Sequence, residues 1–211
     1  MGKQVNKEHY FQGYDSVERF ISYFYQCSEV IKLNPKTVLE IGMGNGLTRD
    51  YISKHKIKVT TCDIDKDLKP DVIANVTKLP FSKNKFDCVV AYQILEHLPF
   101  ENLERALKEI ARVSSKNAII SLPYSSVSFE FIIKLPLISK LIKKQYLDLF
   151  FRVPKFYQEH KFDGQHYWEI GKKGYSLNKI RGLINKYFII KKDFRPEINS
   201  YHYFFILEKR I

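Results

Sequence analysis

The sequence is poor in cysteine, methionine and tryptophan and holds no long apolar run. No stretch approaches the ~20 consecutive apolar residues that a membrane-spanning helix needs. The first residues, Met1 to Gly13, are polar and lack the apolar centre of a secretory leader, so a cytoplasmic address is expected. The three cysteines, Cys27, Cys62 and Cys88, are widely spaced and form no CxxC pair. Buried free thiols are therefore expected, not a disulfide frame or a metal site. No internal repeat or low-complexity tract interrupts the 211 residues, a length suited to one α/β domain.

What is present is a packed globule with a strong positive charge. The hydrophobic fraction is 45% and the aromatic fraction 15%, too high for a disordered chain. The formal net charge is +12. Nucleic acid, an anionic membrane surface, an acidic substrate or simply solvated lysine-rich faces all fit that value. Charge alone does not choose between them.

Hydrophobic patterning gives a rhythm of strands and helices. Val17, Phe20, Ile21, Phe24, Cys27, Val30 and Ile31 lie at near-helical spacing and stop at Asn34-Pro35. Apolar runs at 37–41, 58–63, 71–76, 86–92 and 117–122 read as strands, with helices expected at 47–55 and 101–113. Strands alternating with helices at these lengths predict a parallel sheet, and their nearly continuous apolar character predicts cover on both faces. The rhythm lapses over 124–174, an aromatic and basic stretch containing Pro136 and Pro154. It resumes with a helix near 176–186 and two strands at 188–194 and 201–208, joined as an antiparallel hairpin expected at the sheet edge. The chain thus divides into a helical cap (1–35), a core (36–123), an insertion (124–174) and a closing helix and hairpin (175–211).

The chemical signal lies in the core. The first strand runs directly into Gly42-Met43-Gly44-Asn45-Gly46 and then a helix, which lets backbone approach a ligand where a Cβ would clash. A dinucleotide fingerprint would need its third glycine one place later, where Leu47 stands. Asp63 closes the second strand about 20 residues on, where a carboxylate can take both hydroxyls of a ribose. Nicotinamide and adenosylmethionine sites share that feature.

Together these residues resemble the class I S-adenosylmethionine-dependent methyltransferases, particularly the small-molecule group. The first motif resembles Val38-Leu39-Glu40-Ile41-Gly42-Met43-Gly44-Asn45-Gly46, and the second Cys62-Asp63-Ile64-Asp65. The third resembles residues 74–81, from Ala74 to Phe81, and the fourth residues 86–98, ending Leu95-Glu96-His97-Leu98. The resemblance implies a Rossmann-like α/β fold: a mostly parallel seven-stranded sheet with an antiparallel C-terminal edge strand and helices on both faces. It implies S-adenosyl-L-methionine as cofactor and no metal. Glu40 would face the cofactor's ammonium side, and Gly42, Gly44 and Gly46 would admit its methionine portion. Asp63 would hold the ribose and Ile64 would pack on adenine. Asn75 stands where the family usually has an aspartate toward the adenine amino group, with the Val76 backbone beside it. Gln93 would face the methionine arm.

The transfer needs alignment more than a fixed catalytic group, because the leaving group is already good. His97 and, in the His160–Glu169 cluster, His166 and Tyr167 are the candidate proton acceptors or acceptor-binding groups. Tyr167 and Trp168 are equally well read as packing, and a metal role for His160 and His166 is not expected. Residues 127–153 mix apolar side chains with lysines. They read as a basic amphipathic helix, serving as a lid over an apolar pocket or lying on an anionic membrane surface. The acceptor is expected to be a small molecule or a glycan- or lipid-linked group. An RNA methyltransferase and a non-catalytic cofactor-binding module are the alternatives. Neither the Asn-Pro-Pro-Tyr motif nor a Pro-Cys pair of nucleic-acid enzymes occurs at the fourth strand.

Overall fold

The computed structural model describes residues 7–13, 15–134 and 146–210. Helix α1 (Val17–Leu33) begins where Ser16 accepts a hydrogen bond from Arg19 N (3.2 Å). It ends at Asn34, whose left-handed backbone (φ 48°) precedes Pro35, a residue that cannot continue a helix. Then follow β1 (Thr37–Ile41), α2 (Leu47–Ser53), β2 (Lys58–Asp63), β3 (Val72–Ile73) and β4 (Phe86–Tyr92). After them come α3 (Leu103–Val113), β5 (Ser114–Pro123), β6 (Ser126–Ile133), β7 (Leu147–Pro154), α4 (Leu177–Ile184), β8 (Phe188–Phe194) and β9 (His202–Lys209).

Seven strands form one sheet in the order β3-β2-β1-β4-β5-β9-β8. Strands β1 to β5 pair in parallel, and β9 runs antiparallel to both β5 and β8. This is the expected Rossmann-like α/β fold with one refinement. The antiparallel strand is not at the edge: β9 sits between β5 and β8, and β8 takes the edge. The reason is burial, since His202 to Leu207 are all buried and need cover from two neighbours.

Alternate side chains of each central strand enter opposite cores. From β4, Val89 and Ala91 join Leu39, Leu107 and Ile120 on one face, while Cys88 and Val90 join Val38, Val30 and Ile52 on the other. This is why those strands read as unbroken apolar runs. All three cysteines are buried free thiols, as expected.

The insertion departs from expectation. It is not an amphipathic helix over its described residues; β6 and β7 form a separate two-stranded antiparallel ribbon, and residues 135–145 lie outside the described residues. Its side chains alternate with period two. One face pairs Val127 with Val153, Phe129 with Phe151, Phe131 with Leu149 and Ile133 with Leu147, and every one of these side chains is exposed. The other face, carrying Ser128, Glu130, Asp148 and Arg152, is turned toward the protein. The many apolar residues had masked that alternation. Beyond the ribbon the chain returns to the sheet, where Ser125 N donates to Ile170 O (2.8 Å) and Ile170 N to Pro123 O (3.0 Å). That return carries residues 165–170 over the carboxyl end of β5. Among the described residues no helix is long and apolar enough to cross a membrane.

Candidate functional site

The strands β1, β2 and β4 deliver their carboxyl ends to one rim, the usual place for a ligand in an open parallel sheet. The loop after β1 is shaped by its glycines. Gly42 has φ 78°, and a Cβ there would stand 2.0 Å from Ile94 Cδ1. Gly42 N donates to Cys62 O (2.8 Å), which fastens the loop to β2. Asp63 completes the join: Oδ2 accepts from Met43 N (2.9 Å) and Oδ1 from Asp65 N (2.9 Å). Burial raises the Asp63 pKa, opposed by these backbone donors.

Glu40 is buried beneath the loop, and burial pushes its pKa up to about 8. Its Oε2 has no hydrogen-bond partner among the described residues, in a position where a buried carboxyl oxygen costs free energy unless paired. A carboxyl left over beneath a glycine cradle, able to ionise when a cation arrives, fits the cationic amino-acid end of adenosylmethionine. Asn75 sits in the turn after β3. Its Oδ1 accepts from Thr77 N (2.9 Å) and Thr77 Oγ1 (2.8 Å), so its oxygen is committed to the turn and its amide nitrogen is the group left to donate.

A cavity of about 470 Å³ opens above the sheet. Glu40, Gly42, Gly44 and Gln93 line it together with His97, His166 and Tyr201. Gly46, Asp63, Ile64, Asn75 and Val76 do not; they lie along the adjoining rim, with Ile64 exposed and Val76 buried. The amino-terminal segment supplies a wall that the sequence did not signal: Tyr10, Arg19 and Tyr23 among others. Asn45 Nδ2 ties this wall to the loop by donating to the Tyr23 hydroxyl (3.0 Å).

The far end of the cavity is a buried polar array. Gln93 has a left-handed backbone (φ 55°), and its N donates to Ser121 O (3.0 Å). With its amide oxygen turned to Leu122 N (3.1 Å), its amide nitrogen donates to Glu96 Oε1 (3.3 Å). Glu96 is fully buried, which raises its pKa to about 8. His97 sets Nδ1 against Gln165 O (3.0 Å); a carbonyl only accepts, so that nitrogen carries the proton. Burial holds the His97 pKa down at about 4, so the ring is neutral. His166 faces it with ring centroids 5.1 Å apart.

His166 Nδ1 lies 3.2 Å from Glu169 Oε1, which also accepts from the Tyr201 hydroxyl (2.6 Å). Burial raises the Glu169 pKa, but the His166 and Tyr201 donors outweigh it and bring the value to about 2. Burial likewise lowers the His166 pKa, yet the bond to Glu169 and the nearby carboxylates leave it above the ordinary histidine value. Glu96, His97 and His166 bring one ligand-type atom each within 4.8 Å of one another, whereas His160 instead bonds His166 O (2.9 Å). Tyr167 is not in the cavity. Its N donates to Glu96 O (2.9 Å) and its ring lies against Phe162, because Trp168 beside it is wholly buried and pulls the segment onto the core. Glu96 and Tyr201 are the residues that sequence reasoning did not single out. Tyr201 arrives from a loop 35 residues beyond His166, a distance that no local pattern spans.

A sheet of this order, with a glycine hairpin after β1 and a carboxylate closing β2, is a Rossmann-like α/β fold. Residues 39–122 match the methyltransferase-domain family. Over residues 39–122 the chain thus carries a methyltransferase domain, and similar solved structures hold S-adenosylhomocysteine, the demethylated form of S-adenosyl-L-methionine. No curated protein matches it by sequence. Solved structures share the fold. One is the 1,6-didemethyltoxoflavin-N1-methyltransferase of Burkholderia thailandensis, 16% identical, with 97% of this chain and 85% of that chain covered and a TM-score of 0.62. Another is the N-methyltransferase NodS of Bradyrhizobium japonicum WM9, 7% identical, with 99% and 95% covered and a TM-score of 0.60. A third is the magnesium protoporphyrin IX methyltransferase of Synechocystis PCC 6803, 14% identical, with 92% and 83% covered and a TM-score of 0.56.

Proposed function

We propose that the chain methylates an oxygen or nitrogen of a small-molecule acceptor, with His166 as the base that takes the acceptor's proton. One observation carries this: a single cavity is lined at one end by the glycine loop over Glu40 and at the other by His97, His166 and Tyr201. The cofactor supplies a methyl group on a positively charged sulfur. Gly42 and Gly44 would seat its amino-acid end, Glu40 would offset that end's positive charge, and Asp63 would hold its ribose. Asn75 would donate from its amide nitrogen to an adenine ring nitrogen, with Ile64 against the ring and the Val76 backbone alongside. Gln93 acts through Glu96, fixing the floor under His166.

With Nδ1 committed to Glu169, His166 keeps Nε2 for the acceptor. Neutral His97 beside it adds no positive charge that would suppress proton uptake. The substrates for which the similar structures are named, 1,6-didemethyltoxoflavin and magnesium protoporphyrin IX among them, support an acceptor of small-molecule size. A glycan- or lipid-linked acceptor belongs to the same range.

Labelled-methyl transfer across pools of small-molecule acceptors tests the reading, with His166→Ala expected to lower kcat by about 10²–10⁴-fold while cofactor affinity holds. The base works unprotonated and its pKa lies above the ordinary value, so the rate should climb with pH through the neutral range and level off. Glu169→Gln removes the group that raises this pKa, so the rise should move to lower pH. A pH profile identical in wild type and Glu169→Gln would refute the assignment.

A further inference from the structure

We infer that the outer face of the β6–β7 ribbon seats on an anionic lipid bilayer. The ribbon inverts the normal arrangement of a half-covered sheet, in which the apolar face is inward. Here the polar face is inward. Arg195, itself largely buried, donates to Glu130 Oε1 (2.7 Å) and to Asp148, and its guanidinium lies 3.6 Å over the Phe150 ring. Ser128 meets Ser200 (3.0 Å), Arg152 donates to Ser200 O, and Ile198 N donates to Glu130 (3.0 Å). These bonds fix the ribbon's orientation, since turning its apolar side inward would strip partners from buried charges.

The outward face then shows Phe129 at 59% exposure, Phe131 at 55% and Phe151 at 63%. A contiguous exposed apolar patch of this kind marks an interaction surface. Charge selects the occupant. Both carboxylates of the ribbon, Glu130 and Asp148, face inward on Arg195, so the outer face carries no negative charge. Exposed Lys134 flanks it, and the chain as a whole carries +12. An uncharged apolar face on a strongly cationic chain suits the boundary of anionic headgroups and acyl chains, where each chemistry meets its match. A second copy of the chain meets it poorly, because both copies carry +12. The ribbon's inner face also adjoins the cavity, through the Ser200 backbone next to Tyr201.

Flotation of the full chain with phosphatidylcholine vesicles, with or without phosphatidylglycerol, tests the inference. The chain should float with the anionic vesicles, leave them at high salt and stay behind with the neutral ones. Phe129→Glu with Phe151→Glu should reduce partitioning by roughly 100-fold, while calorimetry with S-adenosylmethionine stays as in wild type. Phe129→Ser with Phe151→Ser serves if the charged variant does not fold. The inference fails if wild type does not float, if it floats equally with neutral vesicles, or if the variants float as well as wild type. It fails too if light scattering finds a dimer that the substitutions convert to monomer without any vesicle binding. Because cofactor binding and vesicle binding are read separately, neither result depends on the proposed acceptor chemistry.

Discussion

The central sheet and the β6–β7 ribbon obey the same period of two and put it to opposite use. In β4 both sets of alternate side chains are buried, whereas in the ribbon the apolar set faces out and the charged set faces in. Pattern alone therefore states which residues share a face, but not which medium that face meets. The medium is decided by partners elsewhere in the chain, in this case Arg195 from the loop after β8.

If the two regions are separate devices, substitutions in one should leave the other's readout intact. Asp63→Ala removes the carboxylate proposed to hold both ribose hydroxyls, in addition to its bonds from Met43 N and Asp65 N. With about 1.5–3 kcal/mol for each bond to a charged group, affinity for S-adenosylmethionine should fall at least ~100-fold by calorimetry. Vesicle flotation should not change. Conversely, Arg195→Met leaves Glu130 and Asp148 buried without their cation, a loss of about 3–5 kcal/mol. Hydrogen exchange should rise across residues 126–133 and 147–154 while the central sheet stays protected. A matching rise in β1 and β4 would show the two regions to be one cooperative unit.

A smaller effect separates the two buried glutamates of the site. The Glu96 pKa of about 8 lies above the unfolded value, so its contribution is complete below ~4.3 and is lost as pH rises through 8. Glu96→Gln should therefore melt above wild type at pH 9, and that margin should shrink toward pH 5. The smallest effect concerns Glu40, which is mostly protonated at pH 7. A cationic ligand favours its ionised form, so S-adenosylmethionine affinity should increase with pH by up to about tenfold per unit until pH 8. Calorimetry in buffers of different ionisation enthalpy should register one proton released. No pH dependence in Glu40→Gln completes the test.

Much of the core was legible because its signals are local. The Asn34-Pro35 stop, the glycine loop after β1 and the acidic end of β2 each lie within a few residues of the element they define. The ribbon was not legible, since Ile132 and Phe150 on its inner side fill in the alternation and make 127–153 look helical. The acceptor end was legible only in part. His97 and His166 carried their chemistry openly, but the Glu169–Tyr201 bond and the burial of Glu96 exist only once β9 and the 165–170 segment have met above β5.

That meeting gives the placement of β9 a consequence for how the chain is made. Residues 202–209 are the shared neighbour of β5 and β8, so both strands wait with a bare flank until β9 has itself left the ribosome. Until then the nascent chain exposes two templates for stray strand pairing, and that vulnerable interval ends only when β9 slides between them.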